Sequence, residues 1–231
     1  GETEAAATAR HALLELDGLR GADPAVIAQA DGAARAWADG GGALTGDDLE
    51  LALRLAASGG DSPLLEALHD RLVTSADRPT RVLLVHALAA VTGPVYVDRV
   101  LAIALTDALD PFERVELLGG LLDNPAAQSR AWDAIVRSPA SLSSHLPPGA
   151  WPLLAARTGV LCTAPQRTEV EAAFAAHARD DENVALALAD ALESIDACIA
   201  RRAHHAPGVA TSLSPPAAPR SRGAPRVHQG Q

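Results

Sequence analysis

Asp77-Arg78-Pro79-Thr80-Arg81-Val82-Leu83-Leu84-Val85-His86-Ala87-Leu88-Ala89-Ala90-Val91-Thr92-Gly93-Pro94 is an amphipathic segment bracketed by two prolines. Proline fits the first turn of a helix, where its missing N–H has no intrahelical partner, and an Asp, Ser or Asn before it caps the free N–H groups. The stretch therefore reads as a helix over 78–91, with the next one opening at Pro94. The same mark recurs at Asp23-Pro24, Ser62-Pro63, Asp110-Pro111, Asn124-Pro125 and Ala164-Pro165. From Pro63 to Pro125 the intervals are 16, 15, 17 and 14 residues, each matching a helix of ~11–13 residues plus a short turn. That rhythm is an α-α repeat.

Working outward, apolar residues fall at helical spacing in every segment between these marks. Helices are expected over 3–18, 24–38, 45–58, 63–73, 78–91, 94–106, 111–122, 125–136, 151–160, 165–178 and 183–202. The first carries Ala9, Ala12, Leu13 and Leu16 on one side; the fifth carries Val82, Leu83, Val85, Leu88 and Ala89. Residues 138–149, with Pro139, Pro147, Pro148 and Gly149, are less regular. Aromatics make up only 3% of the chain and β-branched runs are scarce, which favours helix over strand. The expected fold is all-α, an α-α superhelix of about 11–12 helices. It should occupy 1–205 and be followed by a disordered Pro-rich basic tail, 206–231.

Charge divides the chain at the same place. Residues 1–205 hold 16 of the 19 arginines and all 29 acids, whereas the tail carries Arg220, Arg222 and Arg226 and no acid. An acidic body lacks the basic stripe that nucleic acid requires, and three tail charges supply little affinity, so no nucleic-acid partner is expected. No run of 18 apolar residues is present, so none is expected to span a membrane. The chain opens at Gly1 and contains neither Met nor Lys. It reads as a piece of a longer polypeptide from a GC-rich, bacterial genome. Cys162 and Cys198 lack C-x-x-C spacing and are read as buried free thiols.

Candidate chemistry is thin. His11 and Glu15 stand at i and i+4 with no third ligand near in sequence, and His204-His205 falls at an expected helix C-terminus, where the dipole favours cations. His69, His86 and His177 are single residues on helical segments. Ser143-Ser144-His145 lacks the G-x-S-x-G elbow and a preceding strand, so it reads as a hydrogen-bonded loop. Gly59-Gly60 and Gly119-Gly120 follow no strand and are read as helix ends or close contacts. Asp47-Asp48 and Asp180-Asp181-Glu182 suit helix N-termini. No catalytic, cofactor-binding or metal-binding residue is assigned.

Several of these stretches share a resemblance. Asn124-Pro125 followed by Arg130-Ala131-Trp132-Asp133-Ala134-Ile135-Val136-Arg137 resembles the N-P-x(5)-A-W-x-F-x-x segment in the C-terminal helical domain of aminopeptidase N-type zinc aminopeptidases, the group that includes the endoplasmic reticulum aminopeptidases. In the same order along the family, Gly159-Val160-Leu161-Cys162-Thr163 is similar to its short F-(C/S)-(S/T) turn. Gln166-Arg167-Thr168-Glu169-Val170 with Phe174 is similar to its R-x-E-V-x-x-F-F helix, and Ala191-Leu192-Glu193-Ser194-Ile195 to its final helix. Upstream, 21–30 resembles its G-D-x-x-V-I-A-x-A helix, and Asp77, Arg81 and Leu88 fit D-x-x-x-R-x-x-x-L-x-A-L. Where the family has a second tryptophan after the A-W helix, this chain has Pro139, and a turn is expected there.

The resemblance covers roughly 1–205 and implies a HEAT-like bowl of helix pairs. It implies a non-catalytic domain that covers the active-site chamber of a zinc aminopeptidase and limits peptide access, the parent enzyme hydrolysing N-terminal residues from peptides. The family's zinc motif belongs to a domain outside this chain, so no zinc ligand carries over. The implied partners are the catalytic domain of the same polypeptide and the peptide substrate. Arg130 and Arg157 could face the chamber, although a salt-bridged or solvated Arg is the simpler reading. The alternative is a free-standing helical-repeat scaffold that binds another protein. The acidic body and two thiols suit the cytoplasm, without excluding a periplasmic parent.

Overall fold

The computed structural model describes residues 3–60, 62–137, 142 and 144–213, the last eight as backbone only. Among the described residues there are eleven α-helices and no strand. They are α1 Glu4–Glu15, α2 Pro24–Ala38, α3 Gly46–Ser58, α4 Ser62–Thr74, α5 Arg78–Ala89, α6 Pro94–Ala104, α7 Pro111–Asp123, α8 Gln128–Arg137, α9 Trp151–Arg157, α10 Ala164–Asp180 and α11 Glu182–Leu213. A π-helical turn, Leu16–Arg20, extends α1, and 3-10 turns flank α9 at Pro148–Ala150 and Thr158–Val160.

The proline marks act as expected at most helix starts. The Asp23 carboxylate accepts from the Ala25 and Val26 N–H groups (2.8 and 3.2 Å), and that of Asp77 from Thr80 N–H (2.9 Å). Asp110 makes a full capping box: it accepts from Glu113 N–H at 2.8 Å while its own N–H donates to Glu113 Oε2 at 3.0 Å. Asn124-Pro125 departs from this pattern. Asn124 ends α7, its Nδ2 donates to the Ala89 and Val91 carbonyls (3.1 and 2.7 Å), and α8 starts only at Gln128. The asparagine thus ties down the end of α5 with its amide nitrogen, while its amide oxygen accepts from Ala126 N–H at 3.1 Å in the turn that leads into α8.

The helices form two rows of an all-α superhelix. α3, α5, α7 and α9 stack in succession as an inner row, and α2, α4, α6 and α8 form the outer row that pairs with it. The antiparallel pair α10 and α11 closes the C-terminal end against α9. One continuous apolar core runs between the rows, from Ala34 through Leu53, Leu68, Leu88 and Leu118 to Phe174 and Ile195. The buried face of α5 is Leu84, Val85, Ala87, Leu88 and Ala89; Val82 points outward. α1 buries no residue, and its Leu13 and the following Leu16 remain exposed.

Two adjacent α7 residues carry polar groups into this core. Arg81 grips Glu113 in a bidentate pair, both contacts at 2.6 Å, and also donates to the carbonyls of Leu72, Ser75 and Ala108. Arg114, 2% exposed, donates to the carbonyls of Ala104, Thr106, Leu109 and His145. Buried charges are tolerated only when so satisfied. These two guanidiniums fix the turns at 72–75 and 105–110.

The thiols differ from expectation: Cys162 and Cys198 form a disulfide, with 5.4 Å between their α-carbons. Neither is fully buried. Cys162 precedes α10 and Cys198 lies in α11, so the bridge closes the end of the α10–α11 pair remote from its turn at Asp181. The physical reason is that α10 and α11 run antiparallel, which returns the chain beside its starting point after 36 residues. α11 also runs to Leu213, past the expected end near Arg202. His204 and His205 thus lie within a helix, their rings edge to face at 4.8 Å. The irregular 138–141 segment with Pro139, and the Pro-rich tail from 214, lie outside the described residues.

Candidate functional site: a groove along the inner helix row

Alternate helices of the repeat lie side by side, and a groove of about 300 Å³ runs across them. α3 contributes Glu50, Arg54 and Ser58; α5 contributes His86, Ala89 and Ala90; α7 contributes Glu116, Gly120 and Asp123; α9 contributes Arg157. Glu15, Leu19 and Arg20 close it at the N-terminal edge, and Asn124 and Pro125 lie along one side. The groove therefore spans four repeats, and no single segment of sequence contains it.

Charge alternates along its length. Arg54 meets Glu15 at 3.0 Å, His86 Nδ1 meets Glu50 Oε1 at 3.0 Å, and Arg157 donates to both Glu116 oxygens at 2.8 and 2.7 Å, with Asp123 at 3.8 Å. All these side chains are partly solvated, so each pair contributes little net stability. Arg20 has no acidic partner among the described residues. The wall is thus a row of exchangeable ionic contacts ending in an unpaired cation.

Two glycines give the groove its shape. A Cβ on Gly120 would lie 2.6 Å from the Ala89 Cβ, so only glycine lets α7 approach α5 this closely. A Cβ on Gly119 would meet the Arg157 stem at 2.8 Å. Gly119 therefore makes the seat in which Arg157 lies across α7. The close-packing reading of this glycine pair holds, and Gly59 ends α3 as expected.

The other candidates are scattered. Glu15 turns to Arg54, not to His11. Arg157 lines the groove, whereas Arg130 pairs with Asp98 at 2.9 Å outside it. His177 stacks on Trp151 at 3.8 Å. His145 lies 3.0 Å from Ser144 Oγ and 3.5 Å from Asp107, but that carboxylate is fully exposed and none of the three lines the groove. Asp48 pairs with Arg10, and Asp181 caps Asn183 N–H. Glu50, Arg54 and Glu116 were not singled out by sequence, and His86 was read there as an isolated helical residue. Their signal was faint: charged residues one turn apart on helices whose other faces are fully buried.

Among the described residues there is no group of three or more His, Cys, Asp or Glu side chains placed to hold a metal ion. No helix among them is long and apolar enough to cross a membrane. In the A-W helix of the resemblance, the buried Trp132 donates its indole N–H to Glu169 of α10 at 2.7 Å.

Compared with curated proteins, the chain matches none. A family model described as the ERAP1-like C-terminal domain matches residues 1–197, from the start of the chain into α11, and the chain belongs to that family.

Proposed function

We propose that this chain is the non-catalytic domain of a zinc aminopeptidase, that its HEAT-like inner row covers the active-site chamber, and that the groove limits and receives the distal part of a peptide. The observation that carries this reading is the groove itself, a polar channel across four repeats with exchangeable ion pairs and Arg20 unpaired at one end. An extended peptide presents amides and charges at regular spacing, and weak solvated pairs exchange partners at little cost. A terminal carboxylate suits the free guanidinium of Arg20. The catalytic domain of the same polypeptide is the natural partner, since the matching family is the C-terminal domain of ERAP1-like proteins.

The disulfide supports an oxidising compartment over the cytoplasm expected from composition. The decisive experiment is fluorescence anisotropy of labelled peptides of ten or more residues with this chain. Saturable binding that weakens with salt and is reduced by Arg20→Ala supports the reading. Binding confined to folded proteins and indifferent to Arg20→Ala would favour the scaffold alternative.

A further inference from the structure

The outer row has a gap of its own. α4 and α6 barely meet, and between them lies a cleft of about 260 Å³. It shares no lining residue with the groove. Its floor is apolar and buried: Leu65 of α4, Leu88 of α5 and Val100 of α6, with Ile103 beside them. Tyr96 forms one wall, and its ring is held against two glycines. A Cβ on Gly93 would come within 2.7 Å of the ring, and one on Gly60 within 3.2 Å. The Tyr96 hydroxyl has no hydrogen-bond partner among the described residues.

The rim is ionic. Arg99 Nη1 meets Glu66 Oε1 at 3.0 Å, with Ser62 Oγ at 3.2 Å from the same nitrogen, and His69 lies one turn along α4. Glu66 and Arg99 are both more than half exposed, so their mutual attraction is weak and they can exchange partners readily. Thus an apolar cleft opens beneath one carboxylate and one guanidinium. We propose that this cleft binds a free apolar α-amino acid, such as leucine or phenylalanine. Glu66 takes the ammonium, Arg99 and the Tyr96 hydroxyl take the carboxylate, and the side chain fills the cleft. A single ion on the ligand would satisfy only half of this rim, and a drug-sized molecule would need a larger space, ~300–1,000 Å³. The proposal stands independently of the peptide reading of the groove.

The test is titration of the 231-residue chain with L-leucine, L-phenylalanine and L-serine, followed by saturation-transfer NMR and calorimetry. Saturable binding of the two apolar amino acids in the millimolar range is expected, with none for serine. Ile103→Trp should fill the cleft and abolish it, with circular dichroism confirming the fold. The surface variants Glu66→Gln and Arg99→Gln should each weaken it by ~10-fold, as expected when a charged hydrogen bond is lost. Arg20→Ala should leave it unchanged, which separates this site from the groove. No saturable signal below ~50 mM would overturn the proposal. So would equal binding of 4-methylpentanoate, which lacks the ammonium, or retention of affinity in both rim variants.

Discussion

Glu113 is the residue on which most local order converges, since it pairs with Arg81 and completes the Asp110 cap. The Arg81 hydrogen bonds hold its carboxyl below the ordinary value of 4.5, opposed by burial and aided by the Asp110 N–H. A depressed carboxyl stabilises the fold above its unfolded value, and that contribution is lost as pH falls through the lower, folded one. Urea unfolding of the wild type should therefore weaken as pH drops below the ordinary carboxylate range, and Glu113→Gln should flatten that acid limb. Glu113→Ala at neutral pH leaves Arg81 buried without its carboxylate, for an expected loss of ~3–5 kcal/mol. Two glycines offer a contrast by thermal unfolding. Gly120→Ala should cost ~1–3 kcal/mol by overpacking against Ala89. Gly32, inside α2 with open space around its Cβ position, should gain ~0.5–1 kcal/mol on change to Ala.

At the scale of elements, the disulfide sets the prediction. Closing a loop of 36 residues restricts the unfolded chain by about 4 kcal/mol in the chain-entropy account. Cys162→Ser with Cys198→Ser should lower the unfolding free energy by that order. Hydrogen exchange should show the loss concentrated in α10, α11 and the Thr158–Val160 turn, while α3 and α5 keep their protection. The starts of α2, α5, α7 and α10 were legible because each carries its own local chemistry, a proline and a capping side chain. Asn124 was legible only in part: its amide oxygen holds the turn before α8, whereas its amide nitrogen serves the chain 33 residues upstream, a use that no local pattern encodes. The cysteine pair was illegible for the same reason: helix pairing, not spacing, brings the sulfurs together. On α5, periodicity identified an apolar helix but misjudged its facing by one position, placing Val82 inside and overlooking Leu84.

For the whole molecule, stacking turns separate local features into a surface. The polar residues of the inner row look like ordinary helix-surface charges one helix at a time, so the groove emerges only when α3, α5, α7 and α9 lie side by side. The isolated chain should show no hydrolysis of an aminoacyl-anilide with added zinc, and no stoichiometric zinc by mass spectrometry. Turnover that depends on bound zinc would overturn its non-catalytic assignment. The sulfur bridge also changes how distant the C-terminal helix is from the groove. Along the peptide backbone Arg157 and Cys198 are separated by the whole of α10, its turn and half of α11, but through the bridge Cys198 joins the chain at Cys162, just past the turn that follows Arg157. A pull on the far end of α11 would thus reach the groove wall by the sulfur route, with α10 carrying almost none of the load.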